Sequence, residues 1–403
     1  MIKIVQNKNR GGEVDTSAYS FAATENIRNL HKSLDVYKVT PLVELKNFKG
    51  VRSIFIKDES QRFGLKAFKG LGGVWAIYTV ISRELGLNNP TLEEIFKHRD
   101  ELSKMTFITT TDGNHGKGVS WAAGLFGCKS YVYMPKGTVE VRAQAVRDAG
   151  SATVEITDML YDDCVKFTAK LARKNHWHLI QDMSWDGYEE IPAQIMLGYS
   201  TLAYEALEQM NYQRPTHIFL QAGVGSMAGA IAAVFAEVFK RTTETETFER
   251  GYNARLSQRS IASTGSSVTL APRITIVEPT EVACFYETMR IGDGKIHAAT
   301  GNSQTMMAGL NCATPCELAW KILRRYAADT ATISDGVAAN AIRTLAKQKI
   351  ISGESGCAGF ALANAALDSD DLRRALELDA DSIIFVINTE GDTDPDNYKK
   401  ILQ

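Results

Sequence analysis

The sequence lacks the features that would assign it to a membrane or to nucleic acid. Its 403 residues contain no apolar run of about 18 residues, the length that spans a bilayer, and the amino-terminal segment has no apolar stretch of the signal-peptide type. Lys and Arg total 45 and Asp and Glu total 47, so the formal net charge is −2. Because this balance provides no strong positive field, we expect neither a nucleic-acid nor a membrane partner.

Cysteine and metal-binding motifs are also scarce. The six cysteines include no Cys-x-x-Cys pair, and the seven histidines form no His-Glu-x-x-His motif. The sequence therefore predicts free thiols in a reducing compartment, which we take to be the cytoplasm, and no metal site. Hydrophobic residues make up 44% and charged residues 23%, which is ordinary for a globular protein. At about 150 residues per domain, the length predicts two or three domains.

Short β-rich runs alternate with helical stretches from about residue 52 onward. The runs are SIFIKD, MTFITTT, SYVYMP, ATVEIT, LIQD, THIFLQAG, RITIVEP and SIIFVINT. Strands separated by helices are typical of right-handed crossovers and a mostly parallel sheet. Apolar residues spaced by three or four between Ile191 and Met210 predict one long amphipathic helix. Residues 240–272 break the alternation with Thr, Ser, Arg and Glu, so we expect a surface insertion there.

Four segments rich in small or polar residues follow predicted strands. They are residues 64–73, 110–116, 223–229 and 389–394. Open α/β sheets bind ligands at the carboxyl ends of their strands, so we expect these segments to lie close together.

The residue chemistry of each segment allows a functional and a structural interpretation. A lysine held in a desolvated pocket can react with a carbonyl, although most lysines lie on the surface. Asp112 and Asn114 can hold a polar ligand or cap a helix. The stretch from Gly223 fits both a phosphate-binding loop and the weak GxGxxA dinucleotide pattern. The next predicted strand ends at Glu278, far beyond the ~20 residues that a dinucleotide site favours, which counts against NAD.

Taken together, the four segments resemble the fold type II pyridoxal-phosphate enzymes, the family of tryptophan synthase β and threonine dehydratase. The resemblance implies an α/β fold of two open, twisted, mostly parallel αβα lobes, with the cofactor pyridoxal 5'-phosphate between them. It also implies a large domain that binds the cofactor phosphate, formed by residues 1–65 and 205–403, and a small domain formed by residues 66–204.

The site residues follow from the family's motifs, matched one at a time. Ala67-Phe68-Lys69 matches the tripeptide whose lysine binds the cofactor covalently, and Gly113-Asn114-His115 matches the turn beneath the cofactor ring. The loop that begins at Gly223 matches the phosphate loop, and Thr389 matches the hydroxyl that faces the pyridine nitrogen. The implied cofactor-binding residues are Lys69, Phe68, Asn114, Gly223, Val224, Gly225, Ser226, Met227 and Thr389.

Six segments resemble the diaminopropionate ammonia-lyases of this family in particular. They are FGLKAFKxLGG, MTFxTTTDGNHGxG, QDxxWxGYxxIP, LQAGVGxMAG, ISGESG and TEGDTD, and they extend over about residues 40–398. This resemblance implies α,β-elimination of 2,3-diaminopropionate to pyruvate and two ammonia by a homodimer. The sequence departs from the family in the longer 240–272 segment and in Asn388, where we expect Ser.

Two carboxylates distinguish this site from that of the ordinary dehydratases. Asp112 precedes the Gly-Asn-His turn, where the dehydratases of this family carry a small residue, and Asp182 ends the LIQD run. Two carboxylates near the reactive lysine suit an amino-acid substrate with an additional ammonium group. We therefore expect Lys69, Asp112 and Asp182 to be catalytic. A serine/threonine dehydratase-like or β-replacement enzyme, an NAD-dependent oxidoreductase and a non-catalytic binding protein remain as alternatives.

Overall fold

The computed structural model describes residues 2–111, 113–150, 152–239 and 271–403. Two sequence-based predictions therefore fall outside the described residues: the role of Asp112 and nearly all of the insertion at 240–272. Within the described ranges, no helix is long and apolar enough to cross a membrane.

Helices and strands alternate along most of the described chain. The strands are β1 (Lys3–Gln6), β2 (Leu42–Lys46), β3 (Ser53–Asp58), β4 (Thr106–Thr110), β5 (Lys129–Met134), β6 (Thr153–Ile156), β7 (His178–Leu179), β8 (His217–Gln221), β9 (Arg273–Pro279), β10 (Ala327–Ile333) and β11 (Ile383–Asn388). The helices are α1 (Glu25–Lys32), α2 (Gly70–Glu84), α3 (Leu92–Phe96), α4 (Arg99–Leu102), α5 (Asn114–Leu125), α6 (Glu140–Gly150), α7 (Tyr161–Asn175), α8 (Glu190–Gly198), α9 (Ser200–Gln209), α10 (Ser226–Phe239), α11 (Cys284–Ile291), α12 (Glu317–Tyr326), α13 (Asp335–Lys347), α14 (Ala358–Ala366), α15 (Asp370–Leu376) and α16 (Pro395–Leu402).

Two sheets form the framework. The larger has the strand order β1-β10-β9-β8-β11-β3-β2, and the smaller has the order β6-β5-β4-β7. The five central strands of the larger sheet and all four strands of the smaller sheet are parallel, and only β1 and β2, at the edges, are antiparallel. Nearly every residue of the central strands is buried, because helices cover both faces of a parallel sheet. This confirms the predicted α/β class.

The two sheets come from separate parts of the chain. The smaller sheet lies within residues 106–179, and the larger sheet is built from strands on either side of that range. This arrangement is compatible with the predicted division into residues 66–204 and residues 1–65 plus 205–403. The boundaries themselves stay a prediction.

The predicted single helix from Ile191 to Met210 is wrong. The structure has two consecutive helices, α8 and α9, which meet at Tyr199, whose N–H bonds to the carbonyl of Met196. A Cβ atom added at Gly198 would lie 2.6 Å from the carbonyl oxygen of Leu71. The chain therefore passes very close to α2 at this point, and the helix tightens and restarts there.

Candidate active site

The carboxyl ends of five strands surround one open cavity, whose empty space, including solvent at its mouth, is about 700 Å³. The segments that line it follow β3, β4, β7, β8 and β11. All predicted site residues within the described chain line this cavity: Lys69, Phe68, Asn114, Asp182, Gly223, Val224, Gly225, Ser226, Met227 and Thr389. The parallel sheets thus bring together the four segments singled out in the sequence, as expected. Asp112 lies outside the described residues.

Lys69 lies directly before α2 and is held there from two sides. The N–H of the neighbouring Phe68 donates to the carbonyl of Thr389 at 3.1 Å, which ties the segment to the end of β11. On the other side, a Cβ atom added at Gly72 would lie 2.7 Å from the carbonyl oxygen of Ile195, so only glycine permits this close packing of α2 on α8. The backbone that carries Lys69 is therefore fixed by the end of β11 on one side and by α8 on the other.

Lys69 and Asp182 form a buried ion pair in the cavity. Lys69 Nζ lies 2.5 Å from Asp182 Oδ2, and the two side chains are 18% and 7% exposed. Burial alone lowers the pKa of Lys69, but the attraction of the Asp182 carboxylate outweighs this and raises that pKa above its usual range. Burial disfavours the charged form of Asp182 as well, yet Lys69 holds the pKa of this carboxyl below its usual range. Each of the two side chains therefore stays charged because the other one carries the opposite charge.

His115 is a cavity residue that the sequence-based list of site residues missed. Its Nε2 lies 2.8 Å from the carbonyl oxygen of Ile180. Because a carbonyl only accepts, Nε2 carries the proton of the neutral ring. Nδ1 lies 3.8 Å from Asp182 Oδ2 and has no hydrogen-bond partner among the described residues. Burial lowers the pKa of His115, so the structure places a neutral imidazole beside the Lys69–Asp182 pair. The sequence did contain a clue to this residue, because His115 directly follows Asn114 in the predicted turn.

The loop from Gly223 to Met227 joins β8 to α10 and lines the cavity. Gly225 has a φ of +89°, and a Cβ atom added there would lie 2.3 Å from the ring of Phe285. Ser226 begins α10, and its hydroxyl donates to the carbonyl of Asp182 at 2.6 Å. A glycine loop at a helix amino terminus directs backbone N–H groups toward an anion, so this loop suits a phosphate group.

Thr389 follows β11, the strand next to β8, and Gln221 at the end of β8 fixes the turn that contains it. Gln221 Nε2 lies 2.9 Å from the carbonyl oxygens of Gly356 and Ile387 and 3.2 Å from Thr389 Oγ1. Since the amide nitrogen only donates, the threonine oxygen faces a donor and its own proton points elsewhere. The hydroxyl is therefore available to donate to a ring nitrogen.

Glu390 is a second cavity residue that the list missed, although it lies in the TEGDTD segment. Asn114 Nδ2 donates to Glu390 Oε2, and the N–H of Ser355 donates to Oε1 at 3.0 Å. Glu390 thus links the Asn114 turn to the ISGESG segment. Asn388, where Ser was expected, donates to Asp58 Oδ1 at 2.8 Å and so contributes to the packing of β11 on β3.

Pyridoxal phosphate fits this set of groups. The cavity combines a buried lysine amine, a glycine loop at a helix amino terminus in which a side chain at Gly225 would clash, and a free hydroxyl proton at Thr389. The amine suits the aldehyde of the cofactor, the glycine loop suits its phosphate, and the hydroxyl suits its pyridine nitrogen.

Comparison with known proteins agrees with this fit. Residues 34–390 match the family model described as pyridoxal-phosphate dependent enzyme. Diaminopropionate ammonia-lyase of Salmonella typhimurium is 39% identical over 92% of this chain and 90% of that protein. The Escherichia coli K12 protein of the same name is 38% identical over 100% of this chain and 96% of its own length.

Solved structures give the same assignment. The crystal structure of Diaminopropionate ammonia lyase from Escherichia coli with an aminoacrylate-PLP azomethine reaction intermediate has a TM-score of 0.84 at 38% identity, covering 100% of this chain and 97% of that chain. A threonine deaminase from Solanum lycopersicum, at 17% identity and a TM-score of 0.67, shares the fold. The chain therefore belongs to the pyridoxal-phosphate dependent enzymes of fold type II and, within them, to the diaminopropionate ammonia-lyases.

Proposed function

We propose that this protein catalyses the pyridoxal-phosphate-dependent α,β-elimination of 2,3-diaminopropionate to pyruvate and two ammonia. It is thus a carbon–nitrogen lyase. The observation that carries the proposal is the Lys69–Asp182 ion pair, which lies in one cavity with the glycine loop. The names of the relatives with 38–39% identity support the substrate.

The cofactor, when bound, supplies the electron sink that makes the Cα proton of the substrate acidic. The chain supplies the remaining functions. Lys69 would hold the cofactor, and its Nζ would take the Cα proton of the substrate on its own face. The loop from Gly223 holds the phosphate group with backbone N–H groups. Asp182 holds an ammonium group of the substrate in place of the Lys69 ammonium.

We assign Lys69, Asp112 and Asp182 as the catalytic residues. The assignment of Asp112 is supported by its position in the sequence: Thr111 precedes it, Asn114 follows two residues later, and both of these line the cavity. A carboxylate on the face opposite Lys69 would take the Cα proton of the other enantiomer or protonate the leaving amine. The structural alternative gives Asp112 a helix-capping role only.

Asp112→Asn should separate these two roles. Asn caps a helix as well as Asp does, so stability should change little. As an acid–base group, Asp112 should contribute about 10²–10⁴-fold to turnover, with a larger loss for one enantiomer than for the other. The measurement is kcat for D- and L-diaminopropionate, together with the visible spectrum of the bound cofactor. Wild-type turnover of both enantiomers would leave only the capping role.

Gly225→Val should weaken cofactor retention more than folding, because a Cβ atom there would lie 2.3 Å from the ring of the buried Phe285, so the loop that binds the phosphate would have to shift. Gly137→Val is a matched control: both glycines have a φ of +89°, but a Cβ atom at Gly137 meets nothing within 4 Å. Both variants therefore place a side chain at the same unfavourable φ, and only the one at Gly225 also clashes with its surroundings. We expect cofactor loss on gel filtration for Gly225→Val only, and equal retention by two folded variants would argue against this loop.

The function itself is tested by assaying pyruvate and ammonia with D- and L-diaminopropionate, and with serine and threonine in parallel. We expect the purified protein to show a visible absorption band that borohydride removes, and turnover of diaminopropionate well above that of the hydroxy amino acids. Preference for serine or threonine would favour the dehydratase-like alternative. A colourless protein that binds NAD would support the oxidoreductase alternative.

We further propose a homodimer in the cytoplasm. The family resemblance supports the dimer, and the six cysteines, all free thiols, suit a reducing compartment. Light scattering of the holoenzyme measures the oligomeric state directly, and a monomeric mass would contradict the dimer.

A further inference from the structure

Ser226 connects the two sheets at the reaction cavity. It is the first residue of α10, which follows β8 of the larger sheet, whereas Asp182 follows β7 of the smaller sheet. Both residues are buried, and both line the reaction cavity. The Ser226 hydroxyl donates to the carbonyl of Asp182 at 2.6 Å. Because a carbonyl oxygen only accepts, the single proton of this hydroxyl is directed at Asp182.

This hydrogen bond holds Asp182 from the side of the larger sheet. Within the described ranges of the chain, no other donor contacts the carbonyl of Asp182. The residues before it are held from the smaller sheet instead, since the N–H of Ile180 donates to the carbonyl of Ile108, in β4, at 2.9 Å. The position of Asp182 relative to the loop from Gly223 therefore depends on Ser226.

The residues that follow Asp182 are attached to the same side of the cavity. Ser184 Oγ accepts the N–H of Leu318, in α12, at 3.2 Å. The N–H of Cys316, directly before α12, donates at 2.8 Å to the carbonyl of Val224, in the loop that begins at Gly223. The Asp182 segment thus contacts this loop directly through Ser226 and indirectly through the start of α12.

A phosphate group bound at this loop would compete with Asp182 for the hydroxyl of Ser226. The family resemblance implies that Ser226 binds the cofactor, but its side chain has one proton to donate, and that proton is directed at Asp182. The backbone N–H groups at the start of α10 have no partners within the helix and are available to a phosphate. The side chain and the backbone of Ser226 can therefore serve different groups.

We propose that the hydroxyl of Ser226 positions Asp182 to bind an ammonium group of the substrate, and that this hydroxyl does not bind the cofactor phosphate. Without the hydroxyl, the carbonyl of Asp182 loses its donor, and the carboxylate is no longer held at one distance from the loop. The part that concerns the substrate rests on the proposed function, whereas the support of Asp182 by Ser226 rests on the structure alone.

Ser226→Ala tests this role, with Ser120→Ala as the matched control. Ser120 is also buried, and its hydroxyl donates to the carbonyl of Val146 at 2.8 Å, but it does not line the reaction cavity. We expect Ser226→Ala to raise the KM for diaminopropionate about 2–10-fold, the range of one hydrogen bond between uncharged groups. The dissociation constant of the cofactor should change less than this KM does. Ser120→Ala should match the wild type in both quantities.

The double variant Ser226→Ala/Asp182→Asn distinguishes positioning from a general loss of structure. If Ser226 acts through the Asp182 carboxylate, Ser226→Ala should raise the KM little further once that carboxylate is an amide. The same two substitutions should also be non-additive in thermal unfolding of the cofactor-free protein, because the hydroxyl holds the carboxylate beside the Lys69 ammonium.

Four results would overturn the positioning role: a wild-type KM in Ser226→Ala, an equal rise of KM with and without the Asp182 carboxylate, additive unfolding, or a loss of cofactor affinity larger than the rise in KM. The last of these would assign the hydroxyl to the phosphate. A wild-type protein that does not turn over diaminopropionate would contradict the proposed function instead. Non-additive unfolding would then still support the positioning of Asp182 by Ser226, and additive unfolding would refute it.

Discussion

Lys69→Ala should abolish turnover of diaminopropionate and covalent retention of the cofactor at once. Lys69 is the one predicted catalytic group that must both hold the cofactor and move a proton, so we expect a loss of at least about 10⁴-fold in kcat. The measurement combines initial rates with the visible spectrum before and after borohydride. An active, coloured Lys69→Ala enzyme would refute the assignment.

Lys66→Ala is the control for that experiment. Lys66 lies three residues earlier on the same segment, but its Nζ pairs with Asp392 at 2.8 Å and its side chain is 42% exposed. It therefore has a partner outside the reaction cavity. We expect Lys66→Ala to keep the absorption band. Loss of the band in Lys66→Ala alone would mean that the reactive lysine was misidentified.

Lys69→Ala also has a structural consequence in the cofactor-free protein. Removing the Lys69 ammonium leaves the Asp182 carboxylate buried without its main partner, and breaking a buried pair costs about 3–5 kcal/mol. The double variant Lys69→Ala/Asp182→Asn removes both charges, so it should be less destabilised than the sum of the single variants. Thermal unfolding should be measured for the cofactor-free forms of the wild type, Lys69→Ala, Asp182→Asn and the double variant. This comparison separates the loss of stability in Lys69→Ala from its loss of catalytic activity.

The sequence predicted the cavity well because the carboxyl ends of parallel strands meet at one edge. Each predicted segment follows its strand directly, so local patterns were enough to find Lys69, the glycine loop and Thr389. No local sequence pattern indicates which distant segments contact each other. Glu390 and Asn114 are 276 positions apart, and only the folded chain shows that the carboxylate holds the turn.

Polar residues in a buried strand also made one part of the larger sheet difficult to predict from the sequence. β10 is a central strand, yet its sequence AADTATI lacks the apolar run that marks its neighbours. Its Asp329 is buried because Arg273 on the adjacent β9 donates to it at 2.8 Å. Such a strand is stabilised by a cross-strand ion pair, which no single-strand pattern reveals.

Asp182→Asn should raise the KM for diaminopropionate about 10–100-fold, because a charge-assisted hydrogen bond contributes about 1.5–3 kcal/mol and each 1.4 kcal/mol is a factor of ten. The amide keeps the shape of the carboxylate but loses the charge that, in our proposal, holds an ammonium group of the substrate. Serine offers a neutral hydroxyl in place of the β-ammonium group. Any residual turnover of serine should therefore fall less than turnover of diaminopropionate.

Asp186→Asn is the matched control for this last prediction, since Asp186 belongs to the same segment but is exposed. It should leave both KM values unchanged. The cofactor spectrum should persist in Asp182→Asn, because in the holoenzyme the Lys69 amine is bound to the cofactor and no longer needs the carboxylate as a charge partner. An unchanged KM for diaminopropionate, or an equal loss for serine and diaminopropionate, would show that Asp182 serves only to pair with Lys69. In that case Asp112 would remain the candidate for recognising the ammonium group of the substrate.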